Sequence, residues 1–97
     1  FTAADRLTGI ETSASGPFIT KLTAEPSARA AFFATMPPET AIDTTDGLRI
    51  RFDSGDIVHL RPSGNAPEFR CYAESHTPDK AAALVETHLE KLRDVLM

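Results

Sequence analysis

Several residue types and patterns that define common protein classes are scarce or missing in this sequence of 97 residues. A single cysteine rules out a disulfide within the chain and suits a reducing compartment. No apolar run approaches the roughly 20 residues needed to cross a bilayer, so we expect no membrane contact. Ten Lys and Arg stand against 14 Asp and Glu, and the net charge of −4 disfavours nucleic acid as a partner.

The composition is otherwise that of an ordinary globular domain, with 41% hydrophobic and 25% charged residues. This length predicts one domain over residues 1–97. The chain opens on Phe1 with neither an initiator methionine nor a signal-peptide pattern, so we expect it to be a fragment of a larger multidomain enzyme. The polar segment 1–16 is then expected to be an interdomain connector, with a short strand near 7–10.

Hydrophobic patterning predicts an α+β fold, an antiparallel sheet of about four strands with helices packed on one face. Leu48, Ile50 and Phe52 alternate with arginines, which is the period of a half-buried strand. A turn at 53–56 joins it to a second strand at 57–61. The pattern also predicts strands at 41–44 and 69–75, a helical turn or two at 18–22, and a short helix at 24–33. A final helix is predicted to begin after Thr77 as its N-cap. Its apolar stripe consists of Ala81, Leu84, Val85, Leu89, Leu92, Val95 and Leu96.

The loop between the second and third long strands has the composition of an anion site. Gly64 permits a bend with positive φ, and such bends turn backbone N–H groups inward around an anion. Ser63 and Asn65 add side-chain donors, and Arg61 adds a planar fork that matches two phosphate oxygens. Serine, glycine and asparagine between prolines are equally typical of an ordinary turn. From spacing alone, a plain loop and a phosphate cradle are both open.

The same segment resembles the C-terminal phosphate-binding loop of the α-D-phosphohexomutases, the phosphomannomutase/phosphoglucomutase family. That loop is usually written R-P-S-G-T-E-P and is followed by a strand that contains arginine. Asn65 replaces the usual threonine and keeps a donor, whereas Ala66 replaces a glutamate. The resemblance is strong over residues 43–74 and weak before them, and the matching loop residues are Arg61, Pro62, Ser63, Gly64, Pro67 and Arg70.

The resemblance implies the TBP-like last domain of such an enzyme. In that family a phosphoserine in the first domain exchanges a phosphoryl group with a hexose phosphate, mannose or glucose phosphate, through a bisphosphate intermediate. The last domain holds the phosphate that is not being transferred. The residues implied for that task are Arg61, Ser63, Gly64, Asn65 and Arg70, with no catalytic residue in this chain.

The resemblance also implies partners and a location. The implied partners are the hexose phosphate and the preceding domains of the same chain. Mg²⁺ is implied for the full-length enzyme and not for this chain. A cytoplasmic location is expected. The chain alone is expected to fold but to be inactive. The alternative is a stand-alone α+β module that binds a peptide or another anionic ligand on its sheet.

The histidines and the cysteine predict no further chemistry. His59, His76 and His88 lack the spacing of metal ligands, so no metal site is predicted. His59 lies two residues before Arg61 on the same strand face, where it is able to approach a bound phosphate. We expect it chiefly to be a half-buried sheet residue, His88 to be a packing residue with a partner, and Cys71 to act as a small hydrophobe.

Overall fold

The computed structural model describes residues 1–64 and 66–97, and these residues form an α+β fold with one antiparallel five-stranded sheet and three helices. The strands are β1 (Thr2–Thr8), β2 (Glu39–Asp43), β3 (Leu48–Phe52), β4 (Ile57–Pro62) and β5 (Glu68–Glu74). The helices are α1 (Thr12–Ala24), α2 (Pro26–Phe32) and α3 (Pro78–Leu96). The strand order is β1-β5-β4-β3-β2, so the predicted class is confirmed with one additional strand.

The central hairpin forms as its alternation predicts. The β3 residues Leu48, Ile50 and Phe52 are all buried, while the arginines between them lie on the other face. The turn from β3 to β4 contains Gly55 at φ 88°, a conformation that glycine adopts without steric cost. The hairpin is therefore specified locally by pattern and turn chemistry.

One face of the sheet carries the hydrophobic core. In β5, Phe69, Cys71 and Ala73 are buried under the helices, and the alternate residues point to the opposite face, as predicted. Burial raises the pKa of the Cys71 thiol to about 12, so this cysteine is an inert packing residue. We call the opposite, uncovered side of the sheet the open face, and it carries Arg70 and Tyr72.

α3 begins and packs as the sequence predicts, except near its end. The Thr77 hydroxyl accepts a hydrogen bond from the Lys80 N–H at 3.1 Å, which confirms the N-cap. The predicted stripe is wrong at Val95, which is 58% exposed, although the next residue, Leu96, still packs against the core. Among the described residues no helix is both long and apolar enough to cross a membrane.

The first 24 residues hold more regular structure than the sequence predicts. Instead of a short strand near 7–10, residues 2–8 form the edge strand β1, which pairs with β5 along its whole length. α1 begins at Thr12, within the predicted connector, and continues through Pro17, a residue that usually interrupts a helix. Packing of Leu22 and Phe18 against the core outweighs the unfavourable intrinsic preference of that segment. The role of residues 1–16 as an interdomain connector stays a prediction.

Acidification should destabilise the chain through His88. Burial lowers the pKa of its imidazole, with a smaller contribution from nearby Lys91. The imidazole contacts the Leu84 carbonyl through Nδ1 at 2.7 Å, while Nε2 is buried with no partner among the described residues. The unfolded chain gains a proton at histidine as the pH falls through about 6.5, whereas the folded chain resists protonation. The free energy of unfolding should therefore decrease below that pH.

Urea unfolding of the wild type and of His88→Leu over a series of pH values measures this effect. The carboxylates titrate alike in both proteins, so the difference isolates the histidine. The wild type should lose stability relative to the variant as the pH falls from about 7 to about 5. If the free energies of unfolding of the two proteins change in parallel with pH, the folded chain accommodates the protonated and the neutral forms of His88 equally well, and the prediction is wrong.

Candidate functional site

The loop between β4 and β5 is closed by its own backbone. The Ser63 N–H donates to the Glu68 carbonyl at 3.0 Å, and the Glu68 N–H donates to the Ala66 carbonyl at 2.7 Å. The Ser63 hydroxyl oxygen accepts the Ala66 N–H at 3.2 Å. From outside the loop, the Ile10 N–H donates to the Pro67 carbonyl at 3.0 Å. The segment after β1 thus helps to hold the loop in place.

The backbone of this loop differs from the cradle that its composition suggests. Gly64 has no positive φ, so the left-handed bend that a glycine permits is not adopted at this residue. The amides of Ser63 and Ala66 are engaged inside the loop, because the local turn already satisfies them. A Cβ at Gly64 would meet nothing within 4 Å, so the loop has open space there. The predicted phosphate contact Asn65 lies outside the described residues.

Two predicted site residues, Arg61 and Arg70, lie directly opposite each other. They are register partners on the antiparallel strands β4 and β5, at the end of the sheet where the loop joins these strands. Their side chains are 44% and 46% exposed and share the open face. Two guanidinium groups on neighbouring strands present ten N–H donors in total to one region of the surface.

Carboxylates neighbour both of these arginines. Arg61 Nε lies 2.9 Å from Asp46 Oδ2 in the turn before β3. Arg70 lies 3.5 Å from a carboxylate oxygen of Glu68, whose other oxygen lies 3.6 Å from Arg6. The Arg61–Asp46 pair is exposed and stabilises the fold by at most about 1 kcal/mol. An incoming anion can exchange with such a carboxylate at little cost.

Tyr72 lies beside the two arginines on the open face. The neighbouring guanidinium group of Arg70, and to a smaller extent that of Arg61, lowers the pKa of Tyr72. The ring also packs on His59 of β4, with the two ring centroids 5.5 Å apart. The imidazole Nε2 of His59 contacts the backbone carbonyl of Asp46. His59 is half-buried, as expected, and supports the residues around the arginine pair.

Three residues of this surface escape the sequence analysis. Arg6 is the register partner of Arg70 on β1, and it carries no sequence signal because β1 itself is not predicted. Tyr72 could have been found, since a residue two positions after Arg70 on a strand shares its face. Asp46 comes close to Arg61 only through the pairing of β3 with β4, which the sequence does not place in register.

Metal binding finds no support in the described part of the chain. Within residues 1–64 and 66–97 there is no group of three or more His, Cys, Asp or Glu side chains that could hold a metal ion. The carboxylates near Arg61 and Arg70 are paired with arginines instead of facing one another. The surface is therefore suited to an anion.

The sequence matches a family model along most of its length. The model is that of the phosphoglucomutase/phosphomannomutase C-terminal domain, and it matches residues 18–91, which include the loop and both arginines. The chain belongs to this family. Arg61 and Arg70 lie on the two strands that flank the matched loop between β4 and β5.

Individual relatives agree with this assignment. The chain is 54% identical over 54 residues to a phosphomannomutase of Salmonella muenchen and 49% identical over 55 residues to one of Sinorhizobium fredii. It is also 40% identical over 55 residues to a probable phosphoglucosamine mutase of Methanothermobacter thermautotrophicus. The alignments cover 56–57% of this chain but only 11–12% of each relative, so the chain corresponds to a small part of their length.

Proposed function

We propose that this chain binds the phosphate group of a hexose phosphate that is not being transferred, within an enzyme that interconverts hexose 6-phosphate and hexose 1-phosphate. The proposed transfer uses an enzyme phosphoserine and a bisphosphate intermediate. The observation that carries the proposal is the pair of exposed guanidinium groups, Arg61 and Arg70, opposite each other where the loop meets the sheet. Family membership favours this interpretation over a stand-alone peptide-binding module.

Holding the distal phosphate is useful because phosphoryl transfer depends on alignment. The attacking and leaving oxygens must lie roughly in line, and the protein contributes chiefly through positioning and charge. A planar guanidinium donates to two phosphate oxygens at once, so it fixes orientation as well as position. Two such groups from neighbouring strands, Arg61 and Arg70, would restrain the sugar at the end far from the reacting oxygen.

The same surface suits release, which a bisphosphate that turns around requires. Arg61 pairs with Asp46, and Arg70 pairs with Glu68. These carboxylates can take the place of the departing phosphate, so the arginines need not be left without a counter-charge. Because the groups are exposed, water screens the exchange and keeps each contact weak.

The remaining parts of the reaction are proposed to lie outside these residues. We propose that the residue that accepts the phosphoryl group lies outside the described residues. The described residues also do not fit a metal site, so we propose that the Mg²⁺ expected for such an enzyme binds elsewhere in the full-length protein. The proposed partners are mannose or glucose phosphate and other domains of the same protein, in a cytoplasmic setting. The chain alone should accordingly fold but have no mutase activity.

Replacing Arg61 by alanine should weaken binding of inorganic phosphate to the chain by at least about tenfold, since a charge-assisted, two-pronged contact is lost. Phosphate titration followed by NMR of the Ser63, Gly64 and Ala66 amides measures the dissociation constant. In the full-length enzyme, the same change should raise KM and lower kcat together, because alignment as well as affinity is lost.

Arg51→Ala provides the matched control. Arg51 is an exposed arginine of β3 on the same face, so its loss changes net charge by the same amount far from the loop. It should alter the phosphate dissociation constant less than about twofold, by long-range charge alone. Equal effects of the Arg51 and Arg61 changes would contradict a specific site and leave only non-specific attraction.

A further inference from the structure

We propose that Tyr72 is an additional phosphate contact, whose hydroxyl accepts hydrogen bonds from Arg70 and Arg61 and donates its own proton to an oxygen of the bound phosphate. This inference rests on the proposed function, because it adds a donor to the same anion site. Neither the loop pattern nor the match to the family assigns a role to this residue.

The register places the phenol beside the arginine pair. Tyr72 follows Arg70 by two positions on β5, and its partner on β4 is His59, two positions before Arg61. All of these side chains therefore project from the open face. The partner of Tyr72 on the other side is Ala4 of β1, whose small side chain leaves the ring uncovered there.

A shallow cleft opens at this point of the sheet. It has a volume of about 230 Å³ and is lined by Ala4, Asp5, Arg6, Arg70 and Tyr72. That volume is below the roughly 300 Å³ at which pockets for drug-sized ligands begin, and it suits a small anion or one end of a larger ligand. Arg6 adds a third cation on the far side of Arg70.

Donor and acceptor counting explains why the phenol proton is available. A guanidinium group only donates, so in any hydrogen bond with Arg70 or Arg61 the Tyr72 oxygen is the acceptor. A phenol has one proton, and the neighbours found for the Tyr72 oxygen in the described part of the chain are the guanidinium groups of Arg70 and Arg61, which cannot accept it. The nearby Glu68 and Asp46 carboxylates are engaged by arginines. The proton is left for a ligand.

The charge of the two arginines also strengthens the donor. Their positive charge and hydrogen bonds lower the pKa of Tyr72, which makes the O–H more acidic and hence a better donor to a phosphate dianion. The ring is held by its contact with His59 at 5.5 Å, so the hydroxyl is positioned before ligand arrives. Little side-chain freedom would then be lost on binding.

Tyr72→Phe tests the inference directly, because it keeps the ring and removes only the hydroxyl. The dissociation constant for inorganic phosphate, measured with the 97-residue chain, should rise about fivefold to tenfold, as expected for a hydrogen bond to a charged group. The urea midpoint should stay unchanged. Thr40→Val is the matched control, since it removes a hydroxyl that bonds to the Arg51 carbonyl at the far edge of the sheet, and it should leave phosphate binding unchanged.

A second measurement separates direct contact from a role in orienting the arginines. Tyr72 is the only tyrosine and there is no tryptophan, so ultraviolet absorbance reports the ionisation of this phenol alone. A phenolate cannot donate to phosphate and repels it, so bound phosphate should raise the pKa of Tyr72 by linkage. The other charged and titratable groups on this part of the face are Asp5, Arg6, Asp46, Arg49, His59, Arg61, Glu68, Arg70 and Glu74, so the titration is compared with and without phosphate in the same protein.

The outcomes distinguish this inference from the function on which it rests. If Arg61→Ala weakens phosphate binding but Tyr72→Phe does not, the contact by Tyr72 is wrong and the arginine site stands. If Tyr72→Phe weakens binding but phosphate leaves the ionisation of Tyr72 unchanged, the phenol only orients the arginines and direct donation is wrong. If the wild-type chain binds no phosphate, both the proposed function and this inference are overturned.

Discussion

Replacing Gly47 by alanine should lower the free energy of unfolding by about 3 kcal/mol, through both backbone strain and a collision. Gly47 has φ 72°, and a Cβ there would lie 2.3 Å from the carbonyl oxygen of Leu60 and 3.1 Å from Cα of Arg61. Both atoms belong to the backbone of β4, so no side-chain rotation relieves the contact. Because the preceding residue is Asp46, the turn and the partner of Arg61 should move as well.

Gly55→Ala separates the two causes. Gly55 has a similar φ of 88°, but its Cβ would meet only His76 Nε2 at 3.8 Å, which is ordinary contact. Its replacement should cost about 1 kcal/mol, the value for backbone conformation alone. Denaturant unfolding of both variants gives the comparison. Similar losses for Gly47→Ala and Gly55→Ala would mean that the approach of the first turn to β4 is not a constraint.

Replacing Arg29 by methionine should lower the free energy of unfolding by about 3 kcal/mol, because a largely buried charged network is broken. The Arg29 Nε lies 3.1 Å from both carboxylate oxygens of Glu39 at the start of β2. Its Nη1 donates to the carbonyls of Leu22 and Thr23 at 3.0 and 2.9 Å. These carbonyls belong to the last turn of α1, where no helical N–H is available to them.

Arg49→Met is the control for the loss of an ion pair as such. Arg49 and Glu74 are 3.0 Å apart on the open face, about as close as Arg29 and Glu39, but their side chains are 38% and 46% exposed. In contrast, the Arg29 side chain is only 10% exposed and that of Glu39 is 33% exposed. The loss of stability expected for Arg29→Met is therefore at the lower end of the range for buried ion pairs. The Arg49 change should cost less than about 1 kcal/mol. Equal urea midpoints for the two variants would refute the structural role assigned to Arg29.

Sequence reasoning succeeded where structure is set by local rules. The alternation at 48–52, the glycine-containing turn and the Thr77 cap each specify their element within a few residues, and all are found. It failed at β1 and α1, where tertiary packing decides. β1 is stabilised by pairing with β5, 60 or more residues away in the sequence, and this pairing leaves no periodic signal in a polar segment.

At the candidate site, the sequence was sufficient to predict the two arginines but not the residues that surround them. The positions of Arg61 and Arg70 at strand ends follow from alternation, and their placement opposite each other is found in the sheet. The carboxylates of Asp46 and Glu68 become neighbours of these arginines only through three-dimensional approach. A glycine at position 64 permits a left-handed conformation without requiring one, and the structure does not adopt it there.

The placement of Arg61 opposite Arg70 depends on the correct pairing register of β4 and β5, so the same register determines both the packing of the core and the formation of the arginine pair. Side chains alternate along a strand, so a shift of β4 by one residue would turn Arg61 toward the core and Leu60 toward water. Such a mispaired chain would lose apolar burial and the cation pair at once. An insertion or deletion within either strand should therefore be tolerated poorly even if it conserves every residue of the loop.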